Sequence, residues 1–448
     1  MKIKQLYKKD SVITVLGLGK SGIAAANLAV KKGFKVFASD SGKQKTYKQM
    51  GLNKAVRCEF GQHSDKVLQA DIIVKSPGLA SDLHVLKLAK KKKIPIISEL
   101  DFALNFIRCK KIIAVTGTNG KTTTTTLIYK IIKKEYKNAV VAGNIGYPIS
   151  SVVKKINSDT ILVLELSSYQ LEDSPSFKPE ISVSLNITPD HLKHHKTMAN
   201  YIKAKANIFK NQTNKNFLIY NYEDKILKKE ILKSKATKFA FNDTTSKQCI
   251  SYNNGIFTLK DKAKKENFSI PVKLLGKHNI DNILASIAAA YCAGIKLEII
   301  KKAVSLFKGV EHRIEFVRNL RGVKYYNDSK GTNVDSTKVA LEAFDKNIHL
   351  ILGGQDKGSP YTPIFNLIKE KVKNIVLIGE AAPIIKKALK GSVKMYNAGT
   401  IFNAIKIIQK LAVSGDIVLF SPACASFDQF KDFEDRGRVF KQIVSALK

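Results

Sequence analysis

Short apolar runs separated by helix-patterned stretches recur along the whole chain of 448 residues. This alternation narrows the available folds more than any other feature. SVITVLGLG (11–19) leads through a glycine turn into IAAANLAVKKG and then KVFASD (35–40), with further apolar runs at 71–74 and 94–97. Strand, turn, helix and strand in that order make a βαβ unit, whose parallel strands are covered on both faces. The series restarts at KIIAVTG (111–117), continues through ILVLEL (161–166) and ISVSLNI (181–187), and restarts again after Gly309 with VKYYNDS, IHLILGG, NIVLIGE and DIVLFSPA. Between the second and third series, 240–272 breaks into short alternating segments around Asn253-Asn254-Gly255, the mark of a small β insertion. The expected fold is α/β with three domains: a Rossmann-like N-terminal domain over 1–100, a central P-loop-type ATPase domain over 101–309 with a parallel sheet and the β insertion, and a Rossmann-like C-terminal domain over 310–448.

Charge is the unusual part of the composition. Apolar residues (44%) and charged residues (25%) match ordinary soluble proteins, yet the net charge is +39. The excess is almost all lysine, 69 Lys against seven Arg, spread along the chain. A groove for phosphodiesters concentrates arginine and aromatic residues, so a solvated lysine surface is expected and a nucleic-acid partner is not. The same field would favour a small acidic, phosphate-bearing substrate. Five cysteines without CxxC spacing support neither a zinc ribbon nor a disulfide framework and fit a reducing compartment. The opening MKIKQLYKKD lacks an apolar leader core, and the stretch 11–30 carries Lys20 and several glycines, so neither a signal peptide nor a membrane span is expected. A cytoplasmic protein follows.

Two glycine turns could hold phosphate. Gly17-Leu18-Gly19-Lys20-Ser21-Gly22 follows a strand and opens a helix, with Asp40 ending the next strand. That outline suits NAD or NADP, another nucleotide, or a turn needed only for packing. The second turn, Gly117-Thr118-Asn119-Gly120-Lys121-Thr122, also joins strand to helix. Its glycines permit close backbone approach, Lys121 can neutralise terminal phosphates and the Thr122 hydroxyl can ligate Mg²⁺. It departs from the usual P-loop, because the position that requires the first glycine is Val115. His191, His194 and His195 form an HxxHH cluster suggestive of zinc. No carboxylate or thiol is evident to complete the set, so His194 and His195 are expected at the surface.

The shortened GTNGKTTT loop resembles that of the ATP-dependent Mur ligases and their folylpolyglutamate synthase relatives. Ser76-Pro77-Gly78, LELSSYQLE (164–172), NITPDHL (186–192), NDSKGTN (327–333) and SPACASFDQF (421–430) occur in the order of that family's D-glutamate-adding branch. The resemblance implies an ATP-dependent ligase that phosphorylates the carboxylate of UDP-N-acetylmuramoyl-L-alanine and lets the amine of D-glutamate displace phosphate. It implies that Gly117 to Thr123, with Asn279, Asn282, Arg313 and Asp328, contact ATP. Gly19, Lys20, Ser21, Asp40, Ser76, Asn144, Ser167 and Gln170 would hold the UDP-linked substrate, and Lys330, Thr332, Lys357, Ser426 and Phe427 the D-glutamate. The catalytic set would be Lys121, Glu165, His191 and Lys205. Two Mg²⁺ sites are implied, one on Thr122 and Glu165, the other on His191 and Lys205, with Lys205 carrying a CO₂-derived carbamate. The partners expected are those small molecules alone, with no nucleic acid, no membrane and a monomeric protein.

Overall fold

β-branched, proline-free runs make the interior strands of three sheets. The computed structural model describes residues 11–448 except Lys45 and Ser81, so the opening segment MKIKQLYKKD lies outside the described residues. The first sheet contains β1 (Val12–Leu16), β2 (Lys35–Asp40), β3 (Arg57–Phe60), β4 (Ile72–Lys75) and β5 (Ile96–Ser98), all parallel, in the order β3-β2-β1-β4-β5. Strand order reverses at β1, which opens a crevice beyond the carboxyl ends of β1 and β4. β3, whose residues are half-buried or exposed, has no apolar run to announce it.

The second sheet has nine strands: β6 (Lys111–Thr116), β7 (Ala139–Gly143), β8 (Ile161–Glu165), β9 (Ile181–Ser184), β10 (Phe217–Asn221), β11 (Thr237–Phe241), β12 (Gln248–Asn253), β13 (Ile256–Asp261) and β14 (Lys264–Ser269). Their order is β14-β13-β12-β11-β10-β9-β6-β8-β7. The expected insertion is present as the antiparallel β12 to β14, which extend the edge of this sheet. Asn254 (φ 46°) and Gly255 (φ 86°) close the β12–β13 hairpin with the left-handed pair that a two-residue turn requires. The helix Lys121–Glu135 buries Leu127, Ile128, Ile131 and Ile132 along one stripe.

The first two sheets share one apolar core, running from Ile13 and Val15 to Leu162, Leu164 and Leu218. Polar ties join them as well. Glu99 accepts the Ser150 N–H at 2.7 Å, Ser98 and Ser174 hydroxyls lie 2.6 Å apart, and buried Lys75 pairs with Asp173 at 2.5 Å.

The third sheet contains β15 (Glu315–Leu320), β16 (Val323–Asn327), β17 (Ile348–Gly353), β18 (Val372–Ile378), β19 (Lys394–Gly399) and β20 (Ile417–Phe420), in the order β15-β16-β20-β17-β18-β19. Four strands are legible as apolar runs. The structure adds β15, antiparallel to β16, and the parallel edge strand β19, both too polar for a run to mark them. The chain divides into two compact units: the first reaches Val272 and includes Ile280–Leu306, and the second comprises Lys273–Asn279 and Phe307–Lys448.

Candidate active site

The Gly117–Thr123 turn sits at the carboxyl end of β6, an interior strand parallel to its neighbours β8 and β9. Gly120 has φ 84°, and a Cβ there would lie 2.2 Å from Asn282 Oδ1. Glycine is therefore required twice over, by conformation and by space. Asn282 is buried and accepts a hydrogen bond from Thr124 Oγ1 at 3.1 Å, so this expected nucleotide residue underpins the loop. The helix Lys121–Glu135 begins at Gly120, an N-cap with no side chain to cap the first N–H groups, and the dipole at such an end favours an anion. Lys121 Nζ folds back to the carbonyls of Gly117 and Thr118, at 2.9 Å from each. Thr122 and Thr123 are buried at the start of that helix. Asn186 braces the loop from the neighbouring strand end: its Oδ1 accepts the Asn119 N–H at 2.8 Å and its Nδ2 donates to the Asn119 carbonyl. Thr118 Oγ1 lies 3.0 Å from the Tyr201 hydroxyl.

Glu165 ends β8 beside this loop. Its Oε1 accepts Asn144 Nδ2 at 2.8 Å, while its buried Oε2 has no partner among the described residues. A buried carboxylate oxygen left without a donor is costly unless something absent from the protein chain meets it. Gly143 permits the arrangement, since at φ 107° its Cβ would fall 2.2 Å from the Glu165 carbonyl oxygen. Asn144, expected on the substrate, is thus brought to Glu165. Ser167 and Gln170 serve each other: the Ser167 hydroxyl accepts the Gln170 N–H and Gln170 Oε1 accepts the Ser167 N–H, capping the helix Ser168–Glu172.

His191 occupies a left-handed conformation (φ 53°) just before the short helix Leu192–His195, and its Nε2 lies 3.4 Å from Asp190. Burial lowers its proton affinity, Asp190 opposes that, and the charges of Lys121 and Lys205 add to the lowering. Lys205, on the helix Met198–Ala206, is 3% exposed and donates to the Gly117 carbonyl at 2.7 Å. Burial, and then the charge of Lys121, hold its ammonium well below the usual lysine range. The expectation that His194 and His195 lie at the surface fails. His195 is 2% exposed and its Nε2 sits 3.0 Å from Ser168 Oγ, while His194 Nε2 lies 2.7 Å from Glu172 Oε2. The Tyr169 ring packs on all three histidines and draws the turn inward.

At the reversal point of the first sheet, Gly17, Asp40 and Ser76 do meet. Asp40 Oδ2 accepts the Leu18 N–H and Oδ1 the Gly42 N–H, and Ser76 Oγ donates to the Gly17 carbonyl at 2.8 Å. A Cβ on Gly22 would lie 1.8 Å from that carbonyl oxygen, so the last glycine of the motif is needed for helix–strand contact. Gly19 and Lys20 are exposed and Ser21 half-buried at the open end of the helix Lys20–Lys31.

In the second unit the expected residues gather on the loops following β16, β17 and β20. Lys357 Nζ donates to Thr332 Oγ1 at 3.3 Å, and Lys330 Nζ lies 5.7 Å from the centre of the Phe433 ring. Burial, with the charge of Arg436, lowers the affinity of Lys357 for its proton. Ser426 is buried, whereas the Phe427 side chain is 67% exposed. Asp328 is buried, accepts Ser421 Oγ at 2.7 Å and the Ile314 N–H at 3.2 Å, and is pushed up to about 6 by burial. Arg313 Nε is buried with no partner among the described residues, and Arg313 lies close enough that its charge adds to burial in lowering His278 to about 4. Asn279 is also buried, its Nδ2 donating to the Leu275 carbonyl at 2.6 Å.

Sequence reasoning missed Arg436. Its guanidinium is 1% exposed and binds the Ser329 hydroxyl and carbonyl together with the Cys424 and Ala425 carbonyls, joining two of the loops just described. The rarity of arginine in this chain was the available signal.

Comparison with known proteins covers all three sheets. Family models match in order: the Mur ligase MurD-like, N-terminal domain at residues 11–98, the Mur ligase middle domain at 115–290, and the Mur ligase, glutamate ligase domain at 312–424. The chain is 45% identical to a UDP-N-acetylmuramoylalanine–D-glutamate ligase of Elusimicrobium minutum, covering 98% of each chain, and 44% identical to one of Koribacter versatilis, covering 97% of each. Among solved structures it is similar to the UDP-N-acetylmuramate–alanine ligase MurC of Thermotoga maritima, with TM-score 0.62, 20% identity, 98% of this chain and 100% of that one. It is also similar to MurF ligase from Thermotoga maritima in complex with ADP, with TM-score 0.61, 17% identity, 98% of this chain and 96% of that one. At such identities the structural likeness concerns the fold.

Proposed function

The chain belongs to the Mur ligase family, and from that premise we propose that it joins D-glutamate to UDP-N-acetylmuramoyl-L-alanine with ATP, releasing ADP and phosphate. The observation that carries the reading is the unmet Glu165 Oε2 beside the Gly117–Thr123 turn, at the carboxyl ends of adjacent parallel strands. A carboxylate is a poor electrophile, so phosphorylation must come first to supply a leaving group, and the amine of D-glutamate then displaces phosphate from the acyl phosphate. Positioning and charge neutralisation carry such a transfer, and no protein nucleophile is required.

Under this reading the N–H groups at the start of the helix Lys121–Glu135 and the Lys121 ammonium receive the triphosphate. Lys121 would exchange its two carbonyl acceptors for phosphate oxygens. Thr122 and Glu165 suit one Mg²⁺, and His191 with Lys205 a second; the ions would neutralise charge on the phosphates. The burial of Lys205 favours a neutral amine, the form that adds to CO₂, and a carbamate there would turn a buried cation into an anionic oxygen ligand. The crevice of the first sheet suits the uridine diphosphate. Lys330, Thr332, Lys357 and Ser426 supply cations and hydroxyls for a dicarboxylate. The domain roles follow: 1–100 for UDP, 101–309 for ATP and 310–448 for the amino acid.

Among the described residues no helix is long and apolar enough to cross a membrane. A cytoplasmic monomer acting on these small molecules completes the proposal. Phosphate release with ATP, Mg²⁺ and the UDP-linked alanine substrate, scanned over D- and L-amino acids, tests it. Turnover with D-glutamate above all others is expected, and an ¹⁸O label in the acceptor carboxylate should reach the liberated phosphate. Turnover without D-glutamate preference, or phosphate free of label, would overturn it.

A further inference from the structure

Beside the ligase residues lies a second donor set. Glu172 ends the helix Ser168–Glu172, and His194 and His195 end the short helix Leu192–His195. Glu172 Oε2 is 2.7 Å from His194 Nε2 and 3.9 Å from His195 Nδ1, and one ligand atom from each residue lies within 4.8 Å of the other two. The imidazole of His195 is buried; its Nε2 sits on Ser168 Oγ, and its buried Nδ1 has no hydrogen-bond partner among the described residues. When Nε2–H donates to Ser168, the Nδ1 lone pair faces a carboxylate oxygen. Two acceptors, one on the buried imidazole and one on the half-buried Glu172, then oppose each other, which is unfavourable unless a cation lies between them.

We propose that Glu172, His194 and His195 bind one divalent cation of the zinc class, with three protein ligands and an open fourth position. Two imidazoles and one carboxylate suit zinc better than Mg²⁺, which prefers oxygen ligands throughout. Bonds of about 2.1 Å in a tetrahedron require ligand atoms roughly 3.4 Å apart. The observed 2.7 and 3.9 Å bracket that value, so small side-chain rotations complete the set. Ser168 acts as the outer partner that fixes the His195 tautomer. The cation would clamp the helix Ser168–Glu172 to the turn that carries His191, over which the Tyr169 ring already lies.

The alternative is a plain ion pair between Glu172 and protonated His194. Equilibrium dialysis of the metal-free full-length protein against Zn²⁺ in excess Mg²⁺, with metal counted by atomic emission, separates the two. One zinc per chain is expected in the wild type and in His191→Ala, with affinity at least about tenfold weaker in His194→Ala and in the near-isosteric Glu172→Gln. Co²⁺ should give tetrahedral visible bands that the same two variants lose, and near-ultraviolet circular dichroism checks that both remain folded. No zinc retained by the wild type, equal retention by both variants, or loss confined to His191→Ala would overturn the proposal.

Discussion

Lys121 and Lys205 illustrate how one residue type takes two roles through burial. Lys121 Nζ rests on two carbonyl oxygens at the mouth of a helix, a position from which it can turn to a phosphate. Lys121→Ala should lower phosphate-release turnover by about 10²–10³, equivalent to roughly 3–4 kcal/mol of transition-state stabilisation, the scale found when one preorganised donor is removed. Near-normal turnover would refute that role. Lys205 is sealed against Gly117, and its replacement by alanine should abolish turnover, with partial recovery on adding short carboxylates that substitute for a carbamate. Unimpaired activity of Lys205→Ala would remove the residue from the mechanism. The loop around Lys121 was legible because its chemistry is local: glycines, lysine and threonine stand together in the chain. His195 was not, because the partners that bury it, Ser168 and Tyr169, are brought to it by folding.

Elements show the same division. Interior strands such as β6 and β8 announce themselves by continuous apolar runs, since both of their faces are covered. β3, β15 and β19 are only partly buried, so nothing in hydrophobic periodicity separates them from loops. Joining elements also creates electrostatics that no local pattern reveals. On the helix Glu99–Leu104, burial and the nearby Asp173 carboxylate push Asp101 up to about 7. Below about pH 4 folded and unfolded chains both hold that proton and no penalty arises. As pH rises from about 4 to about 7 the unfolded chain releases its proton first, so stability falls, and the penalty remains above 7. Asp101→Asn should therefore raise stability at pH 8 by up to about 4 kcal/mol, at about 1.4 kcal/mol per pKa unit, and the melting temperature with it, and change both little near pH 4. Thermal melts at the two pH values check this; the same gain at both would exclude the titration as its cause.

For the molecule as a whole, +39 charges make a field that reaches beyond any one pocket. Screening shortens that reach to about 10 Å at 0.1 M salt. The proposed nucleotide substrates are anionic, so kcat/KM should fall several-fold between low salt and 0.5 M, mainly through KM. A flat salt profile would mean that the lysines contribute nothing to encounter. They have a separate use at the margin of the nine-stranded sheet. β14, whose sequence is KKENFS, is an outermost strand, and Lys264 and Lys265 stand exposed on it. An uncovered strand rim invites another chain to add itself by backbone pairing, and paired ammonium groups there make stacking of copies unfavourable. The hairpin that lengthens the sheet thus also terminates it, leaving a rim resistant to fibre growth.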